Sequence, residues 1–163
     1  MADTMTQQQR HYCMSRIGGR DTKPEMIVRR CLWRHGYRYR LCDKRLPGRP
    51  DVVLHKWRTV IFVNGCFWHG HDCDKFRLPA TNAEFWRTKI ERNRRRDAHN
   101  VALLTRMGYQ VIVVWECQLS KARKAETLES LLYTLSGIIL RRSGQKAYPS
   151  MDNSSSMAAE PER

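Results

Sequence analysis

The 163-residue sequence is short of acidic residues: it has 16 Asp and Glu against 30 Lys and Arg. The formal net charge is therefore +14, and the pI is about 10.0. A surplus of this size is typical of proteins that bind a polyanion, either a nucleic acid or an anionic membrane surface. The few carboxylates in so basic a chain need a reason, which makes them the first candidates for a functional site.

Long apolar runs are also missing, which argues against the membrane alternative. No stretch approaches the roughly 18 apolar residues of a spanning helix, and the opening MADTMTQQQRHYC lacks the apolar core of a signal peptide. We therefore expect a cytoplasmic protein that binds no membrane and keeps its six cysteines reduced. In that compartment the cysteines are metal ligands or small buried apolar residues rather than disulfide partners.

A composition of 41% hydrophobic and 28% charged residues favours a folded chain. We expect a basic flexible arm over residues 1–20, one domain over residues 21–140 and a disordered Ser-rich tail over residues 141–163. Apolar periodicity predicts helices over 21–36, 81–107 and 119–140, and strands over 37–41, 51–54, 59–63 and 109–115. This order predicts an α/β fold with a mixed central sheet flanked by helices, and the nearly all-apolar run 109–115 suits a central strand.

Three carboxylates are candidates for catalysis. Asp51 follows Pro50 at the start of a predicted strand, where a carboxylate at the sheet edge can hold a hard metal such as Mg²⁺. Glu25 and Asp97 lie on the apolar stripes of predicted helices, where an unpaired charge is costly. These two residues either support a site or form salt bridges with arginines.

The segment GCFWHGHDCDKFRLP, residues 65–79, has no clear period. A loop this long in a compact domain is usually functional or held by a metal ion. Two or three thiolates and one imidazole form a tetrahedral set for a structural Zn²⁺, and the candidates are Cys66, His71, Cys73 and Cys117. The alternative interpretation, ordinary core cysteines, fits the remaining three better: Cys13, Cys31 and Cys42.

The same loop carries one further histidine and two large aromatic residues. A free imidazole at His69, beside a metal-bound carboxylate, can take a proton from an attacking water at neutral pH; the alternative is another zinc ligand. Phe67 and Trp68 are poorly placed for a core and can wedge between base pairs. Trp86 begins the apolar stripe of the long helix, and the residues alone favour a core position for it.

Four blocks of sequence together resemble the very short patch repair (Vsr) endonucleases: GRPD at 48–51, FVNGCFWHGHDC at 62–73, PATNAEFWRTKIERN at 79–93 and VIVVWEC at 111–117. The match extends over about residues 14–140. It implies a restriction-endonuclease-like fold of the PD-(D/E)xK superfamily with a zinc-clamped loop. It also implies a Mg²⁺-dependent enzyme that nicks one DNA strand 5′ to the thymine of a T·G mismatch, formed when 5-methylcytosine deaminates.

Residue roles follow from the resemblance at matching positions only. It implies that Asp51 and the backbone carbonyl of Val63 bind Mg²⁺. It also implies that His69 is the general base and that Glu25 and Asp97 support the site. Structural Zn²⁺ would be held by Cys66, His71, Cys73 and Cys117. The residues implied to contact DNA are Phe67, Trp68, Trp86, Arg20, Lys89 and Asn93, which moves Trp86 from the core to the mismatch.

The chain departs from the best-known family pattern at Val63-Asn64, where that pattern has Thr-His. A backbone carbonyl is unaffected by the change to valine. Asn64 can donate a hydrogen bond to a phosphate, but it cannot carry a charge or a proton as imidazole does. The lysine that restriction nucleases usually have on the second strand is also missing, which leaves His69 as the proton acceptor.

The resemblance further implies partners: double-stranded DNA with a T·G mismatch, a cytosine-5 DNA methyltransferase and mismatch repair proteins. No stripe for a dimer remains in the sequence, so we expect a monomer. Two alternatives stay open from the residues alone. One is a restriction-type endonuclease that cuts paired duplexes, and the other is a non-catalytic DNA-binding module stabilised by zinc.

Overall fold

A computed structural model of the chain describes residues 6–16 and 19–144. The helices and strands of these residues are, in chain order, α1 (Gln7–Arg16), α2 (Lys23–Arg34), β1 (Arg40–Leu41), β2 (Val52–Leu54), β3 (Thr59–Asn64), α3 (Ala83–Arg106), β4 (Gln110–Trp115) and α4 (Lys124–Gly144). Short 3₁₀ turns follow β2 and β4, at His55–Trp57 and Glu116–Leu119. Across the described ranges, no helix has the length and apolar character needed to cross a membrane.

The four strands form one sheet in the order β1-β2-β3-β4. Strands β1, β2 and β3 pair antiparallel, whereas β3 and β4 pair parallel, which confirms the predicted mixed sheet. Because β2 and β3 are antiparallel, Asp51, just before β2, lies at the same end of the strands as Asn64, the last residue of β3. Asn64 is in turn paired with Trp115 of β4. The strand ends therefore bring residues from distant blocks of sequence to one place.

Helices cover both faces of the sheet. Alternate residues of a strand point to opposite faces, and Val52 and Leu54 pack with apolar residues of α2 and α4, including Leu32 and Leu135. On the other face, Val53 and Val60 pack against Leu104 of α3. The predicted arrangement of a sheet flanked by helices is confirmed.

Strand β4 is at the edge of the described sheet, so the prediction that residues 109–115 form a central strand is wrong. The run is apolar because both faces of the strand have apolar neighbours, although no further strand pairs with it among residues 6–16 and 19–144. Val114 is buried in the core shared with α2 and α4, and Val111 packs towards α3. Val113 is 36% exposed and lines a cleft described below.

Part of the predicted arm is helical, because α1 lies within it. The N–H of Thr6 donates to Oε1 of Gln9 at 2.9 Å, and the N–H of Gln9 donates to Oγ1 of Thr6 at 3.2 Å. This reciprocal pair is a capping box that begins a helix. Tyr12 and Cys13 are exposed, so apolar periodicity could not reveal the helix.

The chain end and the cysteines also differ in part from the predictions. Helix α4 continues to Gly144, so residues 141–144 of the predicted tail are helical, and residues 145–163 lie outside the described residues. All six cysteines are described, and none of them forms a disulfide in the structure. Cys31 is buried as a core cysteine should be, whereas Cys13 is exposed.

Candidate active site and metal cluster

A cleft of about 1060 Å³ opens at the sheet edge where β2 starts and β3 and β4 end. Its lining includes all the residues singled out for catalysis, which are Glu25, Asp51, Val63, Asn64, His69 and Asp97. They come from the first turn of α2, the residue just before β2, the end of β3, the loop after β3 and the middle of α3. Residues spread over more than seventy positions of sequence thus share one cavity.

Asp51 is held against the backbone of the neighbouring strand. Its Oδ2 accepts a hydrogen bond from the N–H of Val63 at 2.7 Å. Withdrawal from water raises the pKa of the Asp51 carboxyl, and the bond from Val63 lowers it in part. The nearby charge of Glu25 raises this pKa further, whereas that of Arg29 lowers it. A carboxylate that has lost part of its hydration is stabilised by a cation.

His69 is paired with Asp97, 28 residues further along the chain. Nδ1 of His69 bonds to Oδ2 of Asp97, and the two side chains are 22% and 29% exposed. The carboxylate fixes the tautomer with the proton on Nδ1, which leaves Nε2 as the proton acceptor. Nη2 of Arg96 lies 3.6 Å from the other oxygen of Asp97. The pair has the composition of a base and its orienting group.

Glu25 lines the cleft, but its carboxylate is bound by Arg29 of α2 and by the two residues that precede the helix. Nη2 of Arg29 donates to Oε2 at 2.7 Å, and the hydroxyl of Thr22 donates to Oε1 at 2.9 Å. The N–H of Asp21 also donates to Oε2, at 3.1 Å. The salt bridge considered as the alternative for Glu25 is therefore present, with Arg29 as partner. The spacing of four residues from Glu to Arg is the signal that identifies such a pair.

The four candidate metal ligands converge next to the cleft. One ligand atom each from Cys66, His71, Cys73 and Cys117 lies within 4.8 Å of all the others. His71 is stacked on the ring of Trp115, with centroids 4.1 Å apart. Burial raises the pKa of the Cys66 thiol to about 12, so a metal ion has to displace that proton. Three sulfurs and one imidazole suit a single tetrahedral ion, and the cluster could hold a metal.

Three aromatic residues from the loop and α3 form a half-exposed group, the aromatic cluster, made of Phe67, Trp68 and Trp86. The ring centroids of Phe67 lie 5.2 Å from those of Trp68 and Trp86, and the two tryptophans are 5.9 Å apart. Nζ of Lys89 lies over both indole rings, at 5.4 and 5.3 Å. Trp86 belongs to neither hydrophobic core, so the core position that the residues alone favoured for it is wrong.

The sequence is similar to that of known endonucleases. A family model described as DNA mismatch endonuclease Vsr matches residues 2–75. The chain is 47% identical over 133 residues to the type II nicking enzyme V.NmeAIP of Neisseria meningitidis serogroup A, covering 81% of this chain and 95% of that relative. It is 43% identical over 131 residues to the DNA mismatch endonuclease Vsr of Escherichia coli K12, covering 80% and 83%. The chain belongs to the Vsr family.

As a member of the Vsr family the protein is a DNA endonuclease, and the resemblance carried by the sequence blocks is confirmed. The alternative of a non-catalytic DNA-binding module is therefore wrong. Three arginines that can contact a polyanion line the cleft beside its carboxylates: Arg49, Arg94 and Arg96.

The cleft lining also contains residues that the sequence did not indicate as site residues: Arg49, Asn100, Trp115 and Glu116. Asn100 has a signal only in the structure: a Cβ on Gly48, which has a φ of +74°, would lie 2.9 Å from its Nδ2. The turn before Asp51 and the middle of α3 are thus in close contact. Of the residues implied to contact DNA, Arg20 is exposed, whereas the amide of Asn93 donates to the carbonyl of Trp68 at 2.9 Å.

We predict that Gly70→Ala destabilises the protein by about 2 kcal/mol or more. Gly70 has a φ of +60°, and a Cβ there would lie 2.6 Å from Cγ2 of Ile90 on α3. Chemical denaturation checks the effect. The matched control is Gly137→Ala in α4, where a Cβ meets open space and should stabilise the helix by about 0.5–1 kcal/mol. Equal stability of the Gly70→Ala variant and the native protein would contradict the close packing of the loop on α3.

Proposed function

We propose that this endonuclease nicks one strand of duplex DNA 5′ to the thymine of a T·G mismatch, in a Mg²⁺-dependent reaction. One observation carries the proposal: a candidate metal carboxylate, Asp51, and an oriented base, His69, share a cleft with Trp68 of the aromatic cluster. The names of the relatives, a mismatch endonuclease and nicking enzymes, support a single-strand cut. The mismatch would arise by deamination of 5-methylcytosine.

Asp51 and the backbone carbonyl of Val63 are the residues that would hold Mg²⁺. Both groups offer hard oxygen ligands, which Mg²⁺ prefers, and the bond between Val63 N–H and Asp51 keeps them adjacent. When bound, the ion polarises the scissile phosphate and stabilises the leaving oxygen. Asn64 lines the same cleft, and its amide would donate to a phosphate oxygen without supplying a proton shuttle.

His69 would accept a proton from the attacking water at Nε2, because Asp97 engages Nδ1. Asp97 also stabilises the imidazolium that forms. The cations Arg94 and Arg96 at the cleft wall would contact backbone phosphates on either side of the cut. In this scheme Glu25 supports the site from α2 and touches no reacting atom.

We predict that Asp97→Asn lowers the single-turnover nicking rate by about 10²- to 10⁴-fold, because His69 loses the group that sets its tautomer. Rapid-quench gels with an end-labelled T·G duplex measure the rate. Glu91→Gln serves as the control, since Glu91 lies on the same helix in an exposed pair with Arg95. A rate within threefold of the native enzyme for Asp97→Asn would remove the pair from catalysis.

We further propose that the ion at Cys66, His71, Cys73 and Cys117 is a structural Zn²⁺. Four protein ligands leave no open position, which is the pattern of structural rather than catalytic zinc. His69 and the two loop aromatics lie between the first two ligands in sequence. An ion there would hold the base and the wedge in place at once.

The aromatic cluster would insert at the mismatch. Apolar side chains that enter a base step unstack it at a cost of a few kcal/mol, and this cost is smaller for a poorly paired step. Lys89, over the indole rings, would bring a positive charge near the phosphates or base edges. Selectivity for T·G would then come from the energy of distortion together with hydrogen bonds to the exposed base edges.

The sheet edge that presents Asp51 also supports a PD-(D/E)xK type of fold, in which the metal carboxylate stands at the start of a strand.

We propose that the protein acts as a monomer, with a cytosine-5 methyltransferase as its functional associate and with mismatch repair proteins acting next on the nicked DNA. Each of these partners follows from the reaction: deaminated methylcytosine has to be made, and the nick has to be repaired.

The test uses a T·G mismatched duplex and a fully paired duplex, each labelled on one strand or on the other. These four substrates are prepared in each of several methylation-site contexts. We expect one Mg²⁺-dependent nick, immediately 5′ to the mismatched thymine, and an intact opposite strand. Cutting of both strands of the paired duplex would replace the proposal with a restriction-type endonuclease.

A further inference from the structure

Arg29 is a buried cation bonded to Glu25, a residue of the cleft lining, and no part of the proposed reaction uses it. It is only 5% exposed, although a free guanidinium is strongly solvated. Its two terminal nitrogens pair with different carboxylates, Nη2 with Glu25 at 2.7 Å and Nη1 with Asp21. A buried charge is retained at a cost unless its partners compensate it, so a buried guanidinium bonded to a residue of the cleft lining calls for a function.

Glu25, in the first turn of α2, is the residue through which Arg29 reaches the cleft that holds the proposed Mg²⁺ ligand. Glu25 has both carboxylate oxygens bonded, to Arg29 and to the polar groups of Thr22 and Asp21. Its carboxylate is therefore held by the helix terminus, although the residue lines the same cleft as Asp51. The charges of Glu25 and Arg29 both act on Asp51, with opposite signs.

We propose that Arg29 is a positioning residue for the Mg²⁺ site, which holds Glu25 in the first turn of α2 and cancels its charge. Asp51 is then the carboxylate presented to the metal, and the scissile phosphate meets one negative charge fewer. The balance matters in both directions, because extra negative charge attracts the divalent cation and repels the DNA backbone. This inference rests on the proposed Mg²⁺ dependence.

The test compares Arg29→Met, Glu25→Gln and the double variant. Two quantities are measured on full-length protein in which zinc content has been verified: Mg²⁺ binding by calorimetry without DNA, and duplex binding by fluorescence anisotropy in buffer free of divalent ions. Nicking assays add kcat and KM for a T·G duplex. Arg95→Met is the matched control, because Arg95 pairs with Glu91 at the same spacing on an exposed helix face.

Arg29→Met leaves Glu25 unpaired, so we expect Mg²⁺ to bind at least about threefold more tightly and the duplex at least about threefold more weakly. Glu25→Gln removes one negative charge and leaves Arg29 with Asp21 as its carboxylate partner, so it should shift both constants in the opposite directions. The double variant should return both to within about twofold of the native values. In the nicking assay, KM should rise for Arg29→Met and return in the double variant.

Shifts in the same direction for both single variants, or no return in the double variant, would overturn the proposal in favour of a purely structural salt bridge. If the unpaired Glu25 prevents Arg29→Met from folding, Glu25→Gln and the double variant still decide, since the double variant buries no unpaired charge. A native enzyme that neither binds Mg²⁺ nor requires it for nicking would instead overturn the proposed function together with this inference. Native Mg²⁺ dependence with unshifted variants would overturn the inference alone.

Discussion

Replacing Asp51 with asparagine is expected to reduce the nicking rate of the Vsr-family endonuclease by about a thousandfold or more. The carboxamide keeps an oxygen for the N–H of Val63 but loses the charge that would bind Mg²⁺. Stabilisation of the phosphate by the metal is worth several kcal/mol, and each 1.36 kcal/mol is tenfold in rate. Single-turnover nicking of a T·G duplex at saturating Mg²⁺ measures the loss.

Duplex binding should survive the same substitution. Removing a negative charge from a cleft that receives the DNA backbone leaves the affinity in metal-free buffer unchanged or higher. Asp74→Asn is the matched control, because Asp74 is exposed and lies outside the cleft lining. Nicking by Asp51→Asn at the rate of the control would remove Asp51 from the catalytic site, whereas loss of both binding and nicking would indicate a role in folding instead.

Replacing Cys117 with alanine is expected to abolish stoichiometric metal binding and to lower the Tm by about 10 °C or more. The variant removes one of four converging ligands, and the free energy of structural zinc binding contributes directly to folding. Zinc content by mass spectrometry should fall from about one ion per chain to well below one. The loop with His69 and Trp68 should then become sensitive to proteolysis.

Cys13→Ala provides the comparison for this variant, because Cys13 is an exposed free thiol outside the metal cluster. It should leave both zinc content and Tm unchanged. A zinc ratio that stays near one in Cys117→Ala, or a native protein that contains no bound metal, would contradict the cluster as a structural zinc site. The nicking rate need not be known to decide this point.

Residues with a distinctive local sequence can be located from the sequence alone. Asp51 lies in a GRPD setting whose proline and glycine mark a turn before a strand, and the structure places it at the start of β2 beside Val63. The spacing of Cys66, His71 and Cys73 indicates a metal site, and Cys117 joins them because β3 and β4 run parallel. Short-range sequence patterns of this kind therefore predict where the residues lie in the folded protein.

Features that depend on long-range packing could not be inferred from local pattern. The pairing of His69 with Asp97 joins residues 28 positions apart. It forms because the loop after β3 packs against α3. The apolar run of β4 indicates burial but not the number of neighbouring strands, so its place at the sheet edge was missed. Trp86 has the spacing of a core residue, yet the loop aromatics cover it and leave the cluster half-exposed.

Arg29 shows a third kind of limit. A Glu and an Arg four residues apart indicate a salt bridge on any helix, and most such pairs are exposed and weak. The burial of this pair, with Glu25 in the lining of the same cleft as Asp51, depends on how α2 packs against the sheet. The sequence therefore identifies a bond without indicating that it bears on the electrostatics of the cleft.

Selectivity for the mismatched thymine is measured most directly by internal competition between two duplexes. A T·G duplex and its T·A counterpart, differently labelled, are mixed in one reaction with Mg²⁺, and the ratio of their kcat/KM values is read from the products. We predict a ratio of at least about one hundred, with every nick on the strand that contains the thymine, and a much smaller ratio for Trp68→Ala. A ratio near one, or equal cutting of both strands, would contradict a mismatch-directed nick.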